Sequence, residues 1–475
     1  MATPENPDAP TCEASEPERA DRTPRLPSPR SLLLGLAGYS GAALLTLIAT
    51  RSLFSSDPPF LDWGTAAGLV LLVALWTLQR RFRRPGLAVA LLWTGLALLF
   101  IANTLAEWRK PHYYGDSDLV SLFIVTQRVI PKWLAGTSLL GDLWAGLWMA
   151  PWFREWLPLT LRQPFHVVAS WGTLSVWAGA VALSLRRPER LAVVLPLFGT
   201  LYIAFGAGYL EYYPFIAPLY LASLAYLFLE PLEGRSPIAL GLLAGALPTL
   251  YIGFIPLAVL VLVFGALAHP RRILQLGGSA LLTYGLLVRI LWRGPLTEYF
   301  QLLRGALDMA ATNKIFERYA GRLAQPDDTF FPVTYALSPE HLGDVAYVAL
   351  HSGLLLPLLL LGWALYRGRR RIAGRLGLDA VRKDLRLGLA AAFAAQQIHF
   401  LFFMVPVYGP RRDIDLFFSA VLAASFCAGF VWDWLLTGEE QRAASQQRFL
   451  LISLTLGHSA VTLGTLLLHG LPAID

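Results

Sequence analysis

The chain has 475 residues, of which 55% are hydrophobic and only 15% charged, and its net charge is +7. A soluble domain carries about 25% charged residues, so this balance excludes an ordinary water-soluble globule. The only two cysteines, Cys12 and Cys427, exclude a disulfide framework, and the positive charge reads as basic loops between spans, with no nucleic-acid partner.

Residues 1–30 are rich in Pro, Glu, Asp and Arg and nearly free of large apolar side chains, a composition that predicts a disordered tail. Residues 31–475 read as one transmembrane domain. Runs such as Ala88–Ala102, Pro256–Ala268 and Leu354–Leu365 hold no charge. About 20 apolar residues cross the hydrocarbon as a helix, because the backbone there must bond to itself. The pattern predicts an all-α, polytopic helical bundle of about thirteen spans. The first six lie near Leu32–Leu53, Phe60–Leu78, Leu87–Ala106, Val167–Leu185, Leu191–Tyr209 and Phe215–Leu229. Then come Ile238–Gly253 and Ile255–Leu267, short enough to form a tight hairpin, followed by Leu274–Trp292. The last four are Val345–Tyr366, Leu387–Met404, Phe417–Leu436 and Phe449–Leu468.

Basic loops set the orientation. Arg80–Arg84, Arg186–Arg190, Arg271–Arg272 and Arg367–Arg386 all fall on the side of the N-terminus. That side is then cytoplasmic, and the two longest connections, 107–166 and 293–344, lie outside. Loops of this length usually carry function. Both contain amphipathic stretches, and Trp144, Trp148, Trp152 and Trp156 recur at helical spacing, which predicts an interfacial helical face. The expected location is the inner (plasma) membrane, with the outer loops facing the periplasm or exterior and membrane lipids around the bundle.

Three polar clusters sit at the outer ends of spans: His112–Asp118, Tyr209–Pro214 and Tyr408–Asp415. Acids and arginines at membrane depth are costly and mark function. Their chemistry suits group transfer from a lipid-linked phosphate. Asp116 or Asp118 would accept the proton of an incoming hydroxyl, unless these acids only cap an interfacial helix. Arg411 and Arg412 would hold the leaving phosphate, with Asp413 and Asp415 beside them. Tyr212 and Tyr213 would flank a sugar ring, and Glu211 would orient it. Three outer-face acids could also ligate a divalent cation.

These residues resemble the GT-C class of membrane glycosyltransferases, which includes protein O-mannosyltransferases and lipid A aminoarabinose transferases. Gly115-Asp116-Ser117-Asp118 resembles the acidic motif of the class's first outer loop. Glu211-Tyr212-Tyr213-Pro214, Ser338-Pro339-Glu340-His341-Leu342 and Arg411–Leu416 resemble motifs of bacterial members. The acidic loop follows the third span here, whereas many members place it after the first. The resemblance implies a polyprenyl-phosphate-linked sugar donor and an inverting transfer of a hexose or pentose to an acceptor hydroxyl on a lipid, glycan or protein. It implies catalysis by Asp116 or Asp118, and substrate contacts from Glu211, Tyr212, Tyr213, His341, Arg411, Arg412, Asp413 and Asp415. The competing expectations are a transporter or lipid flippase, and a non-enzymatic subunit of an envelope-assembly complex.

Overall fold

The structure, a computed structural model, describes residues 29–51, 63–81, 213–292, 294–312, 336–351, 384–403, 417–436 and 441–469, together with short pieces at 90–91, 94–95, 138–140, 143, 178–179, 181–183, 359, 362–363 and 366. The described residues are all-helical and contain no strand. In chain order the helices are α1 Pro29–Arg51, α2 Trp63–Arg81, α3 Tyr213–Phe228, α4 Pro237–Leu250, α5 Ile255–Ala268 and α6 Ile273–Leu291. They continue with α7 Leu296–Thr312, α8 Pro339–His351, α9 Leu385–Phe403, α10 Phe418–Leu436 and α11 Gln441–His469.

The helices start where the backbone chemistry favours a start. Pro237 stands in the first turn of α4 and Pro256 in that of α5, where a missing N–H costs nothing and φ is preset. Ser338 caps α8: its Oγ accepts the His341 N–H at 3.2 Å, with Pro339 opening the helix. α4 and α5 have 14 residues each and are joined by a 3₁₀ turn at Ile252–Phe254. Each spans about 21 Å, so they form the short hairpin that the sequence suggests.

Among the described residues two segments, Pro270–Leu291 and Leu385–Phe402, are long and apolar enough to cross a membrane. The first presents its apolar side outward. Leu274 is 91% exposed, Leu281 and Leu282 are each 75% exposed, and Leu286 and Ile290 share that side. An apolar patch of this size on a water-facing surface is rare.

Glycines set the closest packing. α4 presents Gly241 and Gly245, four residues apart, to Leu276, Ser279, Ala280 and Thr283 of α6. A Cβ on Gly241 would collide with Ser279 Oγ and the Leu276 carbonyl, and one on Gly245 with the Ala280 carbonyl. Small residues spaced in this way let two backbones approach, the arrangement favoured between helices in lipid. Both contacts advance together along the two helices, so α4 and α6 run parallel. α1 and α11 are parallel for the same reason. Gly35 meets Phe449 and Ser453, Gly38 meets Leu450, and Gly457 abuts the Tyr39 backbone. Between these pairs lies a core that includes Tyr220, Phe228, Phe254, Phe393, Phe426 and Phe430.

A side chain at Gly245 has nowhere to go. Gly245→Val should lower stability by about 1–3 kcal/mol, the usual cost of overpacking. Gly277→Ala, on the same pair but with open space around the glycine, should leave it unchanged or slightly raised. Thermal unfolding of the purified variants in detergent checks both.

Candidate functional site

Two ends of the bundle are defined by side-chain contacts. At the first, Asp384 and Arg386 form an ion pair at 2.7 Å, and Arg386 also donates to the Phe228 carbonyl at 3.2 Å and lies over the Phe430 ring. The same end holds Arg235, stacked on Tyr226 and 3.6 Å from Glu230, and His269, whose Nε2 lies 3.2 Å from the Leu232 carbonyl. Arg271 and Arg272 follow His269 directly. The loops before α4, α6 and α9 therefore share one end, as the basic-loop pattern requires.

The opposite end is where α4, α6 and α9 finish and where α5, α8 and α10 begin. Ser138 donates its hydroxyl to the Leu250 carbonyl at 2.6 Å, satisfying an acceptor that the helix end leaves open. The neighbouring Leu139 packs with Val288, Trp292 and Tyr299. Trp292 Nε1 donates to the Pro295 carbonyl at 3.0 Å, which turns the chain from α6 into α7. The Tyr284 and Tyr299 hydroxyls meet at 3.0 Å. Burial raises the Tyr299 phenol above its ordinary value, and the Tyr284 hydroxyl adds to the shift, so Tyr299 stays protonated. Tyr220 stacks on Phe254 with ring centroids 4.3 Å apart and donates to the Ser419 carbonyl at 3.3 Å.

His341 belongs to this end. It is 1% exposed, in the first turn of α8, and its side chain lies beside the Phe402 backbone at the end of α9. Burial holds its imidazole below the ordinary histidine value. The Phe402 contact and the nearby Asp344 carboxylate pull upward without reversing the shift. The ring is therefore neutral at pH 7, able to exchange one hydrogen bond with a polar ligand but carrying no charge to offer a phosphate. The Ser-Pro-Glu-His motif thus has a demonstrable structural use, as a helix cap, alongside any contact with substrate.

Of the other residues that the sequence singles out, Tyr213 opens α3. Asp116, Asp118, Glu211, Tyr212, Arg411, Arg412, Asp413 and Asp415 lie outside the described residues, as do the acids that a cation would need. The structure does fix the helices that follow two of the clusters. α3 starts one residue after Tyr212, and the helical turn leading into α10 starts two residues after Asp415. The Tyr220–Ser419 hydrogen bond joins the middle of α3 to the first turn of α10, and Phe417 packs edge-on against Phe400, 5.8 Å away on α9.

Ser138 and the Tyr284–Tyr299 pair do not emerge from the sequence as site residues. Tyr284 and Val288, four apart on one face of α6, offered a periodic signal, but its partner lies across a turn on α7. Comparison with family models, with curated proteins and with solved structures finds no match for this chain.

The depressed His341 value has a sign that can be tested. The unfolded chain takes up a proton near pH 6.5 while native His341 resists it, so acid favours the unfolded state. The melting temperature should fall between about pH 6.5 and pH 5.5. In His341→Gln that part of the fall should disappear. A thermal unfolding series across this window, comparing the two proteins, reads the difference.

Proposed function

We propose that this chain is a polytopic, GT-C-type membrane glycosyltransferase with about thirteen spans. It transfers a sugar from a polyprenyl-phosphate donor to an acceptor hydroxyl on the outer, periplasmic or exterior face of the plasma membrane. The membrane part of this reading is supported by the outward apolar side of α6 and by the length of the Pro270–Leu291 and Leu385–Phe402 segments. The parallel α1–α11 and α4–α6 pairs fit an alternating layout in which an odd number of crossings lies between the members of each pair.

One observation carries the functional part. His341 and the helices following the Glu211–Tyr212 and Arg411–Asp415 clusters are gathered at the bundle end opposite the Arg386 staple. A single transfer needs base, sugar contacts and phosphate clamp within a few ångströms of one carbon, and elements starting at one end can supply them. In the proposed reaction Asp116 or Asp118 takes the acceptor proton as the hydroxyl oxygen attacks the anomeric carbon. The bond from that carbon to the phosphate oxygen breaks, and Arg411 and Arg412 stabilise the departing polyprenyl phosphate. One displacement inverts the anomeric centre. Glu211, Tyr212 and Tyr213 orient the sugar ring. Asp413 and Asp415 hold the arginines, and His341 contributes a neutral hydrogen-bonding group.

The test is reconstitution of the full chain in liposomes with polyprenyl-phosphate-linked hexoses and pentoses, with release of polyprenyl phosphate as the readout. Asp116→Asn keeps the shape but removes the base, so transfer should drop by about 10²-fold with donor binding retained. Arg411→Ala should weaken donor binding first. Asp118→Asn decides which acid acts. Undiminished transfer in the Asp116, Asp118 double variant would refute the assignment.

A further inference from the structure

The exposed side of α6 carries one residue that does not belong with the others. Leu274, Leu281, Leu282, Leu286 and Ile290 face outward, and Arg289 is exposed on the same side, in the last turn of the helix. It makes no hydrogen bond or ion pair among the described residues. Arg271 and Arg272, also exposed, precede the helix at its other end. From Arg272 to Arg289 is 17 residues, about 26 Å of helix, close to the roughly 30 Å thickness of the hydrocarbon layer. The two basic positions therefore bracket an apolar surface matching one bilayer, and long arginine side chains make up the small shortfall by reaching outward.

The chain continues from Arg289 into a set of interface-loving groups. Trp292 and Tyr299 pack together with centroids 5.4 Å apart, and Phe300 on α7 is half exposed beside Tyr299. Trp292 and Tyr299 are buried, so Phe300 is the ring of this group that reaches the surface. A permanently charged guanidinium at headgroup depth, facing away from the protein, needs an anionic partner there.

We infer that Arg289, one bilayer's thickness from Arg271 and Arg272 and with Phe300 at the surface near it, binds the phosphate of an anionic phospholipid in the leaflet at the His341 end. The occupant is a bulk lipid headgroup and not the sugar donor, because Arg289 faces outward from the bundle whereas the donor phosphate is assigned to Arg411 and Arg412. The inference rests on α6 crossing a bilayer, and does not depend on sugar transfer.

Native mass spectrometry of the purified full-length protein in detergent tests it, with phosphatidylglycerol, phosphatidylcholine and a polyprenyl phosphate as separate probes. Arg289 is exposed and unbonded, so Arg289→Gln leaves the packing of the bundle intact. That variant should bind phosphatidylglycerol about fivefold more weakly than the parent, the effect of one basic residue near a charged surface. Arg289→Lys should retain binding, phosphatidylcholine should discriminate little among the three proteins, and polyprenyl phosphate should bind all three alike. Equal retention of phosphatidylglycerol by parent and Arg289→Gln would overturn the inference. So would a selective loss of polyprenyl phosphate in Arg289→Gln, which would assign the arginine to the donor. Neither result bears on whether Asp116 and Asp118 catalyse transfer, so failure here leaves that assignment standing on its own test.

Discussion

The close approach of α4 to α6, where Gly241 and Gly245 leave no room for a Cβ, is the constraint on which the arrangement of the neighbouring helices depends. Helices in lipid gain nothing from hiding leucine from leucine, so association depends on backbones packing near one another. The glycine contacts make α4 and α6 parallel, and the corresponding contacts at Gly35 and Gly457 do the same for α1 and α11. Once these pairs are parallel, the intervening turns are sorted to opposite ends. The Arg386 staple and the His269–Leu232 contact gather the basic turns at one end. The Ser138–Leu250 bond and the Tyr284–Tyr299 pair tie down the other.

That sorting gives the proposed site its physical basis. Several charged groups at the Arg386 end are spent on one another and on backbone carbonyls: Asp384 on Arg386, Arg386 on Phe228, Glu230 on Arg235. They lock the turn after α3 against the start of α9. At the opposite end the described polar groups include hydroxyls and a neutral imidazole held among aromatic rings, with the Asp344 carboxylate near His341 and Arg289 on the outward side of α6. Such a wall suits a sugar, which offers hydroxyls to bond and an apolar ring face to stack on. In the proposed reaction the charges that a phosphate and a general base require come from the clusters preceding α3 and α10, and from the Gly115–Asp118 motif.

Much of the fold was legible in the sequence where a single physical signal dominated. The Leu274–Trp292 span agrees with α6 to within a residue at each end, because an unbroken apolar run sits between two arginines and a tryptophan. The shortness of Ile238–Gly253 and Ile255–Leu267 announced the hairpin. That Arg271, Arg272 and Arg386 share one end followed from span parity and charge together. Other features left no local trace. The hydrogen bond from Ser138 to Leu250 and the reach of Arg386 to Phe228 join residues more than 100 positions apart, and no periodicity encodes them. The 293–344 connection read as a loop with amphipathic stretches, whereas α7 forms a defined helix there, held by Tyr299 against Tyr284 of α6 and against Trp292. Ser338–His341 read as a family motif, and its residues equally spell a helix cap. The candidate site was legible as chemistry, through paired acids and arginines, but His341 is the residue of that set whose side-chain surroundings are described.

The central claim is that one end of the bundle carries the transfer chemistry and faces outward, while the Arg386 end faces the cytoplasm. Single cysteines at Ser117, at Gly409 and at Glu233, the last an exposed position at the Arg386 end, can be probed in intact cells with a membrane-impermeant thiol reagent, in a background lacking Cys12 and Cys427. The account predicts labelling at Ser117 and Gly409 before lysis, and at Glu233 only after it. Labelling of Ser117 and Gly409 from opposite sides, or of Glu233 together with either of them in intact cells, would contradict it.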